Sequence, residues 1–111
     1  MTRPERSAQI WSLLALAARN RQILTYDMVS KLIGVKSRNL GRYLGPIQSY
    51  CLIHHLPPLT IIAVSKTGIL GKGFIAAKNI PSNQQKVFAL DWIERGAPTV
   101  EEFAQAILER P

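Results

Sequence analysis

The segment from Thr25 to Gly45 constrains the fold of this chain more than any other. TYDMVSKLIG opens on a threonine, whose hydroxyl can accept a hydrogen bond from a first-turn amide. It closes on a glycine, the residue that most readily takes the left-handed conformation at a helix end. Thr25 and Gly34 therefore bracket a short helix of roughly two turns, with Val29, Leu32 and Ile33 as the expected buried face. A tight link from Gly34 leads to a further helix starting at Ser37, SRNLGRYLG. A short helix, a glycine-containing turn and a second, basic helix make the helix-turn-helix pattern.

The flanking elements are punctuated in the same way. Thr2-Arg3-Pro4-Glu5 reads as a capping box opening a first helix to about Asn20, with Ile10, Leu13, Leu14 and Ala17 at helical spacing. Ile23-Leu24 is a short extended piece. Gly45-Pro46 is expected to break or kink the chain, with Pro46 opening another helix, PIQSYCLIHHL, that Pro57-Pro58 ends. LTIIAVSK has the β-branched content of a buried strand, and KTGILGKGF that of a glycine-lysine loop or β-ribbon. Ser82 with Gln85, and Thr99 with Glu102, are further capping-box candidates, opening NQQKVFALDWI and VEEFAQAILER. The expected fold class is mainly α with a small β wing: a winged helix-turn-helix domain over residues 1–78 and a helical extension over 79–111 packed on the same domain.

The charge is split along the chain. Residues 1–78 carry eleven lysines and arginines against Glu5 and Asp27, a net +9, whereas residues 79–111 sum to −2. A basic body points to a polyanionic partner, nucleic acid before an anionic membrane surface, and the acidic remainder suits facing elsewhere. Cys51 is the only cysteine, so no internal disulfide can form and a cytoplasmic location is the simpler expectation. The apolar run Ile10–Ala18, with Ala15-Leu16-Ala17 resembling a cleavage site, is short, interrupted by Ser12 and followed by Arg19 and Arg21. An amphipathic helix is expected there, not a signal peptide. No run approaches the ~18 apolar residues of a membrane span.

The candidate interface is built from Lys36 in the link, Arg38, Asn39 and Arg42 on the second helix of the unit, and Lys66 and Lys72 in the wing. At i,i+4 on a helix, Arg38 and Arg42 point one way and leave Leu40 and Leu44 to the opposite side; Asn39 and Tyr43 form a second such pair. Arginine makes bidentate contacts to guanine edges and phosphate, asparagine can pair with adenine, and wing lysines can hold flanking phosphates. Gly41 permits close approach of a backbone, either that of DNA or that of the first helix.

TYDMVSKLIGVKSRNLGRYL also resembles the core of the alkyltransferase family, the repair proteins acting on O6-alkylguanine, and its non-enzymatic alkyltransferase-like relatives. Thr25-Tyr26 matches the family's Thr-Tyr-Gly, with Asp27 in place of the glycine, and Ser37–Leu44 matches its arginine- and glycine-containing helix. The resemblance spans about 50 residues, Leu24 to Phe74. It implies a winged-helix fold, with Arg38 entering the duplex where a flipped nucleotide had been and Tyr26 pressing on the phosphate that rotates it out. The Pro46–Leu56 helix looks like an insertion. The family's Pro-Cys-His-Arg stretch falls on Pro58-Leu59-Thr60-Ile61, so Leu59 stands for the reactive cysteine and Thr60 for the histidine that activates it. A leucine cannot be a nucleophile, which leaves a binding role such as sensing a modified base.

No other chemistry is legible. Cys51 lies on an apolar stripe with Ile47, and Cys51, His54 and His55 lack the spacing of a zinc site. GILGKGF lacks the ending of a phosphate loop, and no paired carboxylates accompany a histidine. No enzyme activity, metal or cofactor is expected. Two functions remain open: a module binding duplex DNA, and a protein-interaction module or subunit in which the C-terminal helices, with Phe88, Trp92 and Phe103, dock on a partner or a second copy.

Overall fold

Local capping chemistry sets most of the helix boundaries. The structure, a computed structural model, describes residues 1–65 and 80–109. Helix α1, Arg3–Arg19, starts behind Thr2, whose hydroxyl accepts from the Glu5 amide while the Glu5 carboxylate accepts from the Thr2 amide. That backbone hydrogen bond holds the Glu5 carboxyl below its ordinary range. Strand β1, Leu24–Thr25, runs into α2, Tyr26–Ile33, where Thr25 accepts from the Met28 amide and Gly34 closes the helix at φ +75°. A 3-10 turn, Ser37–Asn39, precedes α3, Leu40–Ile53. A second 3-10 turn, Leu59–Ile62, leads to β2, Ala63–Val64, paired parallel to β1. Helices α4 (Ile80–Ala89), α5 (Trp92–Arg95) and α6 (Val100–Glu109) complete the described chain. The protein is mainly helical with a small two-stranded parallel sheet. Among the described residues, no helix is long and apolar enough to cross a membrane.

The core centres on α1. Ile10, Trp11 and Leu14 are buried, and the Trp11 ring meets Tyr50, Trp92 and Phe103 edge-on at centroid distances of 5.7, 5.4 and 5.9 Å. Edge-to-face ring pairs of this kind add ~0.5–1.5 kcal/mol each beyond the area they bury. Tyr50 comes from α3, Trp92 from α5 and Phe103 from α6, so this one tryptophan joins α5 and α6 to the basic body, and Tyr50 adds its own ring contact to Phe103. The expected Thr99–Glu102 capping box positions α6: each residue's side chain accepts from the other's amide.

Several sequence expectations are corrected. Helix α3 continues through Gly45-Pro46 and does not break there. Pro46 has no N–H to give to the Arg42 carbonyl, but Nε of Arg3 donates to that carbonyl at 2.8 Å, and the Ser7 hydroxyl donates to the next one, Tyr43, at 2.7 Å. α1 thus satisfies the acceptor that the proline leaves vacant. Leu59–Ile62 is a 3-10 turn and not strand, because the pairing edge offered by β1 is only two residues long, Leu24 opposite Ala63 and Thr25 opposite Val64. All four turn residues are nevertheless buried, as their apolar character requires.

Leu32 is 65% exposed; Val29 and Ser30 face inward and Ile33 is half-buried. The hydroxyl of Ser30 is hydrogen-bonded within the turn, which rotates α2 so that the buried arc runs through 29, 30 and 33. Ser82 lies inside α4 and does not cap it. Asp91 starts a separate helix by accepting from the Glu94 amide, so Phe88 and Trp92 sit on different helices.

Helices α1 and α3 end on left-handed residues without glycine, Arg21 at φ +54° and His55 at φ +56°. In both, the following amide reaches back five residues, Gln22 to the Ala17 carbonyl and Leu56 to that of Cys51, each at 2.8 Å.

Candidate nucleic-acid interface

The α2–turn–α3 unit is held rigid from inside the turn and from α1. Within the turn, the Ser37 hydroxyl donates to Asp27 Oδ1 at 2.5 Å and lies 2.9 Å from the Ser30 hydroxyl, which in turn donates to the Asp27 carbonyl at 3.1 Å. Two hydroxyl protons are shared among these three contacts, so two of them are hydrogen bonds at any one time. The start of the basic segment is thereby tied to the first turn of α2. From α1, Arg6 Nη1 donates to the Ile33 carbonyl at 2.7 Å and to Gln9 Oε1 at 3.0 Å, satisfying an acceptor that the end of α2 leaves open. With Arg3 and Ser7 on α3, one face of α1 fixes both helices of the unit.

On that scaffold Lys36, Arg38, Asn39 and Arg42 are all exposed. Arg38 and Asn39 lie in the 3-10 turn and Arg42 in the first turn of α3, which begins at Leu40, three residues later than the sequence indicated. The predicted two-sidedness holds: Leu40 and Leu44 are buried at 0% and 7% exposure while both arginines face solvent. Asn39 is exposed beside them, whereas Tyr43 is half-buried against the core and does not complete a surface pair. Tyr26, the first residue of α2, is likewise half-buried and packs on the core. Lys66 and Lys72 lie outside the described residues.

The side chains of Lys31, Lys36, Arg38 and Arg42 form no hydrogen bond or ion pair with any described residue. Asp27, the acid nearest in sequence, is engaged by Ser37. Four cations within twelve residues, on and beside a braced turn, can engage phosphate oxygens or base edges without first leaving a described partner. Sequence reasoning missed the bracing set, Asp27, Ser30, Ser37, Arg3, Arg6 and Ser7. Only the bond from Ser30 to the Asp27 carbonyl, three residues back, had a local signal, as serine hydroxyls bond to nearby backbone groups.

The remaining candidates do not assemble into chemistry. Cys51 is buried and desolvation pushes its thiol up to about 11, so it stays protonated and inert as a nucleophile. His54 is exposed at the end of α3, its ring 4.2 Å from that of Tyr50. No group of three or more potential metal ligands occurs among the described residues. Leu59 and Thr60 are buried in their 3-10 turn. Of the aromatics considered for docking a partner, Trp92 and Phe103 are buried in the core and Phe88 is half-buried. The chain matches no protein-family model, no curated protein and no solved structure.

Proposed function

We propose that this protein is a non-enzymatic DNA-binding module that engages duplex through residues 37–44. The observation carrying this reading is that Lys36, Arg38 and Arg42 are exposed, without a partner among the described residues, on the leading edge of a helix whose other side is buried. In a basic chain of net +7, cations so placed neutralise phosphates and release counterions, which makes affinity steeply salt-dependent. On this reading residues 1–78 form a winged helix in which α3 is the reading helix and Lys66 and Lys72 belong to the wing. The alkyltransferase-like resemblance extends it to sensing a modified base, with Arg38 as the residue entering the stack.

The test is fluorescence anisotropy with a short labelled DNA duplex, repeated at several salt concentrations and with an RNA duplex and an alkylguanine-containing duplex of the same length. The reading predicts binding to DNA at low salt that weakens steeply as salt rises, and tighter binding to the modified duplex. No binding to any DNA at low salt contradicts it. A preference for RNA replaces the ligand while keeping the interface.

A further inference from the structure

Two helix faces outside the candidate interface leave apolar side chains in solvent. On α2, Met28 and Leu32 lie one turn apart and are 48% and 65% exposed, because Ser30 holds the inward place. Lys31 shares that face, and Asp27, the acid one turn before it, is engaged by Ser37. On α6, Val100, Ala104 and Leu108 follow at the same four-residue spacing, with Val100 and Leu108 exposed and Ala104 half-buried. Leu108, at 80%, and Leu32 are the most exposed leucines among the described residues.

The charges edging the two rows are opposite. Glu101 stands seven residues before Leu108, on the same face of α6, as Lys31 stands beside Leu32 on α2. Glu102 already accepts from the Thr99 amide and Glu109 from Gln105. Glu101 and Lys31 form no hydrogen bond or ion pair with a described residue. Neither face suits a copy of itself, since lysine would meet lysine and glutamate would meet glutamate, whereas each suits the other. Within one chain the contact is not made, as both rows stay exposed.

We propose that the two faces bind each other between copies of this chain. Helix α6 of one copy docks on α2 of the next, with Val100 and Leu108 against Met28 and Leu32 and with Glu101 paired to Lys31. The contact joins two different patches, so it is head-to-tail. Helices of 8 and 10 residues are only about 12 and 15 Å long, too short to bury the ~800 Å² per partner of a stable complex. The association is therefore weak, with half-association at roughly 10–500 µM. It does not rest on the DNA-binding reading, because Lys36, Arg38 and Arg42 belong to the turn segment and α3.

The experiment is sedimentation equilibrium of the full chain without nucleic acid, from roughly 10 µM to 1 mM. It compares wild type, Leu32→Glu, Leu108→Gln and an equimolar mixture of the two variants. Both substitutions fall at exposed positions, and thermal melting checks that each variant is folded; Met28→Gln and Val100→Gln replace a variant that is not. The wild-type average mass is expected to climb above the monomer mass with concentration, and less so as salt is raised. Each variant alone stays monomeric over that range. The mixture approaches twice the monomer mass and does not pass it, because α6 of Leu32→Glu docks on α2 of Leu108→Gln and the other two faces are disabled. A wild type that stays monomeric to about 1 mM overturns the proposal and leaves the faces to a partner of different sequence. Wild-type association by either variant overturns it too, since the contact then lies elsewhere, and so does a mixture that stays monomeric.

Discussion

Arg3 and Arg6 on one side of the α2–turn–α3 unit, and Arg38 and Arg42 on the other, are the same residue type put to opposite uses. The first pair turns inward and donates to backbone carbonyls that a proline and a helix end leave without partners. The second pair turns outward, and neither side chain forms a hydrogen bond or ion pair with a described residue. Both contribute equally to the +9 of residues 1–78, so net charge alone does not say which arginines are available to a ligand. Availability depends on whether some acceptor within the fold has already been orphaned. The inward pair is what lets the outward pair stand on a rigid turn.

The sharpest way to break this comparison is to remove an inward arginine. Arg6→Ala leaves the half-buried Ile33 carbonyl without its 2.7 Å donor and is expected to lower unfolding free energy by about 1–3 kcal/mol in urea titrations. Labelling of Cys51 reports the same change independently, because its thiol is buried and pushed up to about 11, and reacts only when the chain opens. An Arg6→Ala protein of wild-type stability would erase the distinction between the two pairs.

A subtler effect belongs to Arg3. If it serves the acceptor vacated by Pro46, then Arg3→Ala should be more damaging with Pro46 in place than in a Pro46→Ala background, where the substituted alanine has an N–H of its own to bond the Arg42 carbonyl. A double-mutant cycle on Arg3→Ala and Pro46→Ala is expected to show a coupling of about 1 kcal/mol, and additivity would refute the link.

Arg21 adds a third kind of arginine, constrained through its backbone. At φ +54° it is disfavoured relative to glycine, so Arg21→Gly should stabilise the fold by about 0.5–1 kcal/mol despite losing a cation. An unchanged or lowered melting temperature would count against that.

The mildest effect comes from acid. The carboxyls of Glu5 and Glu102 are depressed below their ordinary value first of all by the Thr2 and Thr99 amides they accept from. Their contribution to stability is present above the ordinary carboxylate value and is lost as pH falls through the depressed ones. Fraying of α1 and α6 on acidification, seen as a small loss of helical signal ahead of global unfolding, is the expected outcome.

The sequence was most legible where the determining contacts are local. Thr2, Thr25 and Thr99 cap as read, and Gly34 takes the left-handed conformation, because each of these bonds spans only a few residues. The alternation of Arg38 and Arg42 with Leu40 and Leu44 was legible for the same reason. Pro46 was misread because its remedy comes from Arg3, 39 residues from the carbonyl it serves. Of the strand expected over Leu59–Lys66, Leu59–Ile62 became a 3-10 turn because β propensity cannot create a partner longer than β1. Leu32 was assigned to the core because a serine at position 30, hydrogen-bonded in the turn, took the inward place that periodicity alone gives to leucine.

The most direct measurement is the slope of log affinity against log salt for DNA duplex, in wild type and in Arg38→Ala/Arg42→Ala. If the outward arginines occupy phosphates, the double variant keeps its urea midpoint and its slope falls by about two, one for each contact removed. A slope and affinity identical to wild type would make Arg38 and Arg42 a solvated rim, and would contradict the division of labour between the two pairs.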